Sequence, residues 1–360
     1  MSARSDKDQP TGIEPRGGAA LTEIGVGIVG CGGMAQIHSK CLAEMSGVKI
    51  AATYDTSRET RMRLAEQVGA EPHDSLEGLL SSDSVNAVYI LTPHDSHPEI
   101  VRQCIRFEKP AVFCEKPLGL DLAALPALSR EIKKSRILFT MGFNHRFNSG
   151  VMRLKRTLAD SAGSPLLVTI HLAAPHFLQS WAGLWPSGGG VLPCLGSHGF
   201  DLARYIVGGE VTELSCHTER LRLSDPYLDD TAVITARFTT GTTACLVLHD
   251  HAPPRYAQDP GRHLLRIEVF TGRSVIATEP LSHLIKADSD AIKSVKFEPY
   301  SLLGSWGFLE ENRHFIQCVR EGTRASPNED DGLEAVRLVE LAKLAAREGR
   351  LVRSTEIELS

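Results

Sequence analysis

The run Gly27-Ile28-Val29-Gly30-Cys31-Gly32-Gly33-Met34-Ala35 fits G-x-G-x-x-A at Gly30, Gly32 and Ala35, the pattern of a loop that cradles a dinucleotide. Gly30 permits a tight turn, and Gly32 lets backbone approach a pyrophosphate. Ala35 lets a helix pack close on a strand, with the phosphates at the positive N-terminus that Gly33 and Met34 open. A purely structural glycine turn is the competing reading. Asp55 weighs against it, because it ends the next strand-like run about 20 residues beyond Ala35, where a carboxylate accepts hydrogen bonds from ribose hydroxyls and repels a 2′-phosphate. NAD is therefore the expected cofactor. Arg58 and Arg61 just beyond keep NADP open, since a guanidinium there neutralises that phosphate.

Two further motifs follow strand-like runs, Thr92-Pro93-His94 after YIL and Glu115-Lys116-Pro117 after AVFC. Both leave the carboxyl edge of the expected sheet, where ligands bind in open α/β folds. Lys116 would there lie near a nicotinamide and position a substrate hydroxyl or exchange a proton with it. The competing reading is a surface lysine paired with Glu115.

The elements that must hold these residues change character near the middle of the chain. From residue 24 to 144, IGVGIVG, VKIAATYD, NAVYILTP, AVFCEKP and ILFTMGFN alternate with segments of helical periodicity, a βαβ order that predicts a doubly wound parallel sheet. In the first helix Met34, Ile37, His38, Cys41, Leu42 and Met45 share one face. After a helix over residues 151–159 come LLVTIHLAA, VTELSCHTERL, TAVITARF, TACLVLHD, LLRIEVFTG and RSVIATE with few helices between them. These predict an antiparallel sheet, with Ala232, Ile234 and Ala236 packed and Thr231, Val233, Thr235 and Arg237 on the wetter side. Helices over 308–320 and 332–348 close the chain. The expected fold class is α/β: an N-terminal Rossmann doubly wound sheet (21–145) and a C-terminal α/β domain with a large, mostly antiparallel open sheet (146–360). Residues 1–20, rich in Pro, Gly and charge, are expected to form a mobile tail.

Composition narrows the function. The 360 residues are 42% hydrophobic and 23% charged, with net charge −5, so no broad positive field exists to attract nucleic acid or anionic membrane. Apolar runs fall far short of the roughly 20 residues of a spanning helix, and the first 20 residues contain no apolar core of the kind expected in a signal peptide. A cytoplasmic protein is expected. The eight cysteines show no CxxC pair or zinc-ligand spacing, arguing against a disulfide framework or metal. Asp229 and Asp230 read as a solvated turn.

Seven motifs in order give a family resemblance: GVGIVGCGGMA, AATYDTSRE, LTPHDSHPEIV, KPAVFCEKPLGLD, GFNHRFN, SGGGVLPCLGSHGFDLARYIVG and SPNEDDGLEAVRLVELA. The sequence resembles the glucose-fructose oxidoreductase, inositol dehydrogenase and rhizopine-catabolism family (Gfo/Idh/MocA) over residues 24–352. The resemblance implies NAD(P)-dependent oxidation or reduction of a sugar, sugar derivative or cyclitol by a homodimer or homotetramer. It makes Lys116 the EKP lysine that contacts both substrate and nicotinamide. It places Thr92, Pro93, His94, His97 and Glu115 along the cofactor, with His94 where Asn is more common. Asn144 would sit near the nicotinamide end, and Arg146 would support it or contact substrate.

The family's glycine triplet, Asp and His signature is broken here. Gly188, Gly189, Gly190 and His198 match, but Cys194 occupies the Asp position. His198 is the first choice for the acid-base group, because a secondary alcohol must lose a proton as hydride leaves its carbon. A buried core histidine is the bland alternative. Cys194 counts as a catalytic position on its place alone, since a nucleophilic thiolate needs an electropositive, accessible setting. Asp201 matches the family's following acid, and His176, Trp181 and Trp185 are expected to overhang the substrate. Because of Cys194, a redox-neutral NAD-using glycosidase or lyase and a catalytically weak sugar sensor stay open beside the dehydrogenase.

Overall fold

The computed structural model describes residues 23–160, 163–174, 178, 188–222, 228–252, 265–279, 283–289, 291–296 and 306–359. The expected tail and the positions His176, Trp181 and Trp185 lie outside the described residues.

The first half forms a six-stranded parallel sheet in the order β3-β2-β1-β4-β5-β6. Its strands are β1 (Ile24–Val29), β2 (Val48–Tyr54), β3 (Glu71–Pro72), β4 (Ala87–Ile90), β5 (Ala111–Glu115) and β6 (Leu138–Gly142). β1, β4, β5 and β6 are buried along their whole length, as strands covered on both faces must be, which is why they read as continuous apolar runs. β3 is the strand the apolar pattern missed: two residues, Glu71 and Pro72, paired with Ala52 and Thr53. The strand order reverses between β1 and β4, so the carboxyl ends of these neighbours open a crevice at that switch point. Helix α1 (Gly33–Ala43) starts there and buries Ala35, His38, Ser39, Cys41 and Leu42, while Met34, Ile37 and Met45 of the expected face are only partly buried.

The second half forms a nine-stranded sheet, ordered β14-β13-β12-β11-β7-β10-β9-β8-β15. It comprises β7 (Pro165–Ala173), β8 (Val211–Glu219), β9 (Thr231–Phe238), β10 (Thr243–His249), β11 (Leu265–Thr271), β12 (Ser274–Glu279), β13 (His283–Asp288), β14 (Ile292–Lys296) and β15 (Val352–Arg353). β7 and β10 run parallel, while the other neighbours pair antiparallel. β9 alternates as expected, with Ala232, Ile234, Ala236 and Phe238 buried and the intervening residues turned outward. Its inner face joins helices Ser149–Ala159, Ser197–Val207 and Glu329–Glu348 in one apolar core.

The Glu329–Glu348 helix also joins the halves. Leu333, Ala335 and Val336 sit in the core of the parallel sheet beside Leu118 and Met141, whereas Leu338, Val339, Leu341 and Ala342 sit in the core of the other. Among the described residues no helix is long and apolar enough to cross a membrane.

Candidate active site

The glycine loop has the geometry of an anion cradle. Gly30 has φ of 90°, and a Cβ there would lie 2.7 Å from the Leu91 carbonyl oxygen, so the β1–β4 crevice admits only glycine. At Gly32 and Gly33 an added Cβ would meet no atom within 4 Å, leaving open space over the loop. Helix α1 begins with no side-chain cap and no acidic residue in its first turn. Its unspent N–H groups and positive dipole end, from Gly33 and Met34 onward, therefore fit a pyrophosphate.

Asp55 is brought to this loop. Its Oδ2 accepts the Cys31 backbone N–H at 2.7 Å and its Oδ1 accepts that of Ser57 at 2.8 Å. Arg61 is buried and committed, bonding the Asp55 carbonyl at 3.2 Å and the Asp74 carboxylate. Arg58, at the first helical position, points its exposed surface to solvent.

The strand-end turns are tied together by His97. Its fully buried ring places Nδ1 2.7 Å from the Pro117 carbonyl and Nε2 2.9 Å from the Thr92 carbonyl. Both ring nitrogens therefore face main-chain carbonyls, and His97 ties the two turns together. Thr92 Oγ1 accepts from Ser96 Oγ at 2.7 Å, and the exposed Pro93 leads into the short turn His94–Ser96. The buried His94 ring bonds the Gly188 carbonyl, linking this turn to the glycine triplet. Burial, reinforced by the Lys116 charge, holds its pKa well below the usual histidine range. Glu115 is buried, its Oε2 accepting the Lys116 N–H at 3.1 Å and its Oε1 lying 3.2 Å from His38 Nε2.

Lys116 reaches across the junction of the two halves. Its Nζ donates to the Cys194 carbonyl at 3.1 Å. That carbonyl lies in a π-helical turn, Leu192–Gly196, which runs directly into the Ser197–Val207 helix. Gly190, at φ 89° with a Cβ position 3.0 Å from the Asp229 carbonyl, brings the chain into this turn. The Cys194 thiol is buried, and burial pushes its pKa up to about 11. An enclosed thiol with a raised pKa is ill suited to attack, and the contact this residue makes at the site is its backbone carbonyl.

His198 lies one turn on. Its ring is 4.4 Å from that of His145 and 5.9 Å from that of Phe143, centroid to centroid. Its Nδ1 is buried without a partner among the described residues. Burial, then the neighbouring His145, Lys116 and His94, hold its pKa well below the usual range. The ring is neutral near pH 7, the form that accepts a proton. His145 is the site residue that sequence reasoning passed over, although it stands between two residues singled out in GFNHRF.

Asn144 Nδ2 donates to the Trp306 carbonyl at 2.9 Å. Arg146 is held by partners within the protein. Its Nε donates to Asp201 at 2.8 Å and its Nη2 to both Asp201 and Asp331, while Nη1 lies 3.4 Å from Ser326 Oγ. Burial pushes the Asp201 carboxyl up and the two-pronged guanidinium pulls it back. Arg146 and Asp201 thus clamp the His198 helix to the β6 exit. Among the described residues no cluster of three or more His, Cys, Asp or Glu is placed to hold a metal ion.

Residues 24–143 match the Gfo/Idh/MocA oxidoreductase family with NAD-binding Rossmann fold, and residues 151–275 match that family's C-terminal domain. The chain is 30% identical over 348 residues to myo-inositol 2-dehydrogenase of Thermotoga maritima, covering 92% of this chain and 99% of the relative. It is 26% identical over 320 residues to scyllo-inositol 2-dehydrogenase (NAD(+)) of Bacillus subtilis, covering 83% and 87%. The solved structure of a probable dehydrogenase from Thermotoga maritima superposes with a TM-score of 0.79 at 27% identity, over 93% of this chain and all (100%) of that one. With the glycine cradle, Asp55 and the six-stranded sheet in place, the chain belongs to the Gfo/Idh/MocA family of oxidoreductases, with an NAD-binding Rossmann domain.

Proposed function

We propose that the chain oxidises a secondary hydroxyl of a cyclitol or sugar, passing hydride to NAD, or runs the reverse reduction. The observation that carries this reading is the convergence of Lys116 and a neutral, buried His198 where the parallel sheet meets the second domain. The cofactor, when bound, supplies the hydride acceptor. Lys116 Nζ holds one bond to the Cys194 carbonyl and has further N–H donors with which to orient the substrate oxygen. His198 takes the hydroxyl proton in oxidation and returns it in reduction. The inositol dehydrogenases among its relatives support a cyclitol as first substrate to try. The reading extends to a cytoplasmic homodimer or homotetramer built on the outer face of the nine-stranded sheet.

Absorbance at the reduced-nicotinamide band tests this with a panel of inositols, hexoses and anhydrosugars. Net reduction of NAD is expected. Product without net absorbance change would replace it with a redox-neutral reaction, and ligand binding with neither would make the chain a sensor.

A further inference from the structure

His38 lies on the apolar face of α1, where the periodicity calls for a hydrophobic side chain, and it is completely buried. A buried imidazole in such a place must have its polar atoms answered. Three rings enclose it, those of Phe113, Tyr89 and Phe308, at centroid distances of 4.9, 5.6 and 5.7 Å. Its Nε2 lies 3.2 Å from Glu115 Oε1, and its Nδ1 lies 2.9 Å from Asn312 Nδ2 and 3.3 Å from Asn312 Oδ1.

One assignment of hydrogens satisfies these contacts together. Asn312 Nδ2 spends one hydrogen on the Phe308 carbonyl at 2.8 Å and the other on His38 Nδ1. That leaves His38 protonated on Nε2, donating to Glu115 Oε1. Glu115 Oε2 then accepts the Lys116 backbone N–H at 3.1 Å. The donors of Asn312 and His38 run from the Phe308–Glu321 helix through α1 to the Glu115 carboxylate, which receives the Lys116 N–H from the other side. Burial, and then the neighbouring Glu115, pushes the Glu311 carboxyl next to Asn312 well above the usual carboxylate range.

We propose that His38, held as the Nε2–H tautomer by Asn312, is a positioning residue for Lys116, coupling the helix that receives the cofactor phosphates to the lysine at the substrate. The proposal rests on the reading of Lys116 as a catalytic group. It gives His38 no contact with substrate or nicotinamide. Its effect passes through Glu115 and the backbone at residue 116, as a second layer of hydrogen bonds fixes the layer that does chemistry.

The test compares H38L, H38Q, E115Q and H38L/E115Q with K116M as control, using myo-inositol and NAD for turnover and amide hydrogen exchange at Lys116 as a readout independent of turnover. H38L is expected to lower kcat at least tenfold, to change the KM for NAD less than threefold, and to speed exchange of the Lys116 amide at least tenfold. H38Q, whose amide can still donate to Glu115, is expected to recover most of both. In the E115Q background, H38L should add little, because the acceptor it serves has changed. Imidazole ¹⁵N shifts of the wild type should report the Nε2–H tautomer of His38. Equal losses in H38L and H38Q, a protected Lys116 amide in H38L, or the opposite tautomer would overturn the proposal, and the last measurement holds even if H38L fails to fold. Full turnover by folded K116M would instead remove the catalytic reading of Lys116 and leave the exchange and tautomer results to judge the positioning.

Discussion

Lys116 and Cys194 meet across the junction of the two domains through one main-chain contact, the lysine Nζ donating to the cysteine carbonyl at 3.1 Å. The side chain at 194 takes no part in that bond. Its thiol is buried in the second domain's core with Leu192 and Phe200 and is kept protonated.

C194A should therefore keep kcat within about twofold of wild type. Losing one buried sulfur resembles a small core truncation and should cost about 1 kcal/mol of stability. Native protein should resist iodoacetamide at this position, because alkylation needs an accessible thiolate. Stoichiometric labelling of Cys194 with parallel loss of activity would restore a thiol role.

His198 should behave as the proton acceptor. H198N retains volume but cannot take a proton, and kcat for oxidation should fall by about 10²- to 10⁴-fold. Affinity for NAD, measured by quenching of protein fluorescence, should stay within a few-fold. Since burial and nearby positive groups hold its pKa down, the acid limb of the kcat/KM profile should lie below the ordinary histidine value of about 6.5. A limb above that value, or an unchanged profile in H198N, would transfer the proton to another group.

Much of this arrangement was legible before any coordinates. The βαβ order, the glycine loop and the carboxylate after β2 depend on local spacing, and the side-chain alternation of β9 is visible in TAVITARF because one face is packed and one is wet. The last helix begins at Glu329, one turn before the expected 332, because Asn328 and Asp331 form a capping box inside what reads as a turn. β13 and β14 escaped notice for a different reason: β14 is exposed throughout and carries Lys293 and Lys296, the charged dressing of an edge strand rather than an apolar run. At the site, residue positions were legible but partners were not. Arg146 pairs with acids 55 and 185 residues away, and His97 bonds main-chain carbonyls that carry no sequence signal. Nor does any spacing rule announce that a π turn will offer the Cys194 carbonyl to a lysine.

The Arg146–Asp201 clamp should matter more for stability than for binding. Removing one member of a buried pair leaves the other charge uncompensated, at about 3–5 kcal/mol. D201A should lower the urea midpoint accordingly, and R146K should recover little, because an ammonium cannot reproduce the two-pronged contact. Near-wild-type stability in D201A would mean that Asp331 alone can hold the guanidinium.

Stability should also depend on pH with a definite sign. His94 and His198 both have pKa values lowered well below the usual range, chiefly by burial. Below about pH 6.5 the unfolded chain binds protons that the folded chain refuses, so stability is fully present above that value and falls as pH drops toward the folded values. At the alkaline end the buried thiols of Cys31, Cys41 and Cys104 are pushed up to about 12. Unfolding releases their protons above about pH 9, and stability declines again. Urea unfolding from pH 5 to 10 should trace a plateau between these limits. Stability that rises on acidification from pH 7 to 5.5 would contradict neutral burial of His94 and His198.

Cofactor choice should follow Asp55. Its carboxylate is fixed at the glycine loop by the Cys31 and Ser57 N–H groups, placed to receive ribose hydroxyls and to oppose a 2′-phosphate. Arg61 offers no relief, since its guanidinium is already engaged by Asp74 and the Asp55 carbonyl. Arg58 alone remains exposed, and a solvated guanidinium gains only modestly from a charged partner. Calorimetric titration should therefore give NAD at least tenfold tighter binding than NADP. D55A should weaken NAD about tenfold and narrow the gap from both sides, by removing ribose contacts and lifting repulsion. R58A should leave NAD affinity unchanged. Tighter binding of NADP by the wild type would show that Arg58 turns onto the phosphate and that Asp55 serves only to brace the loop.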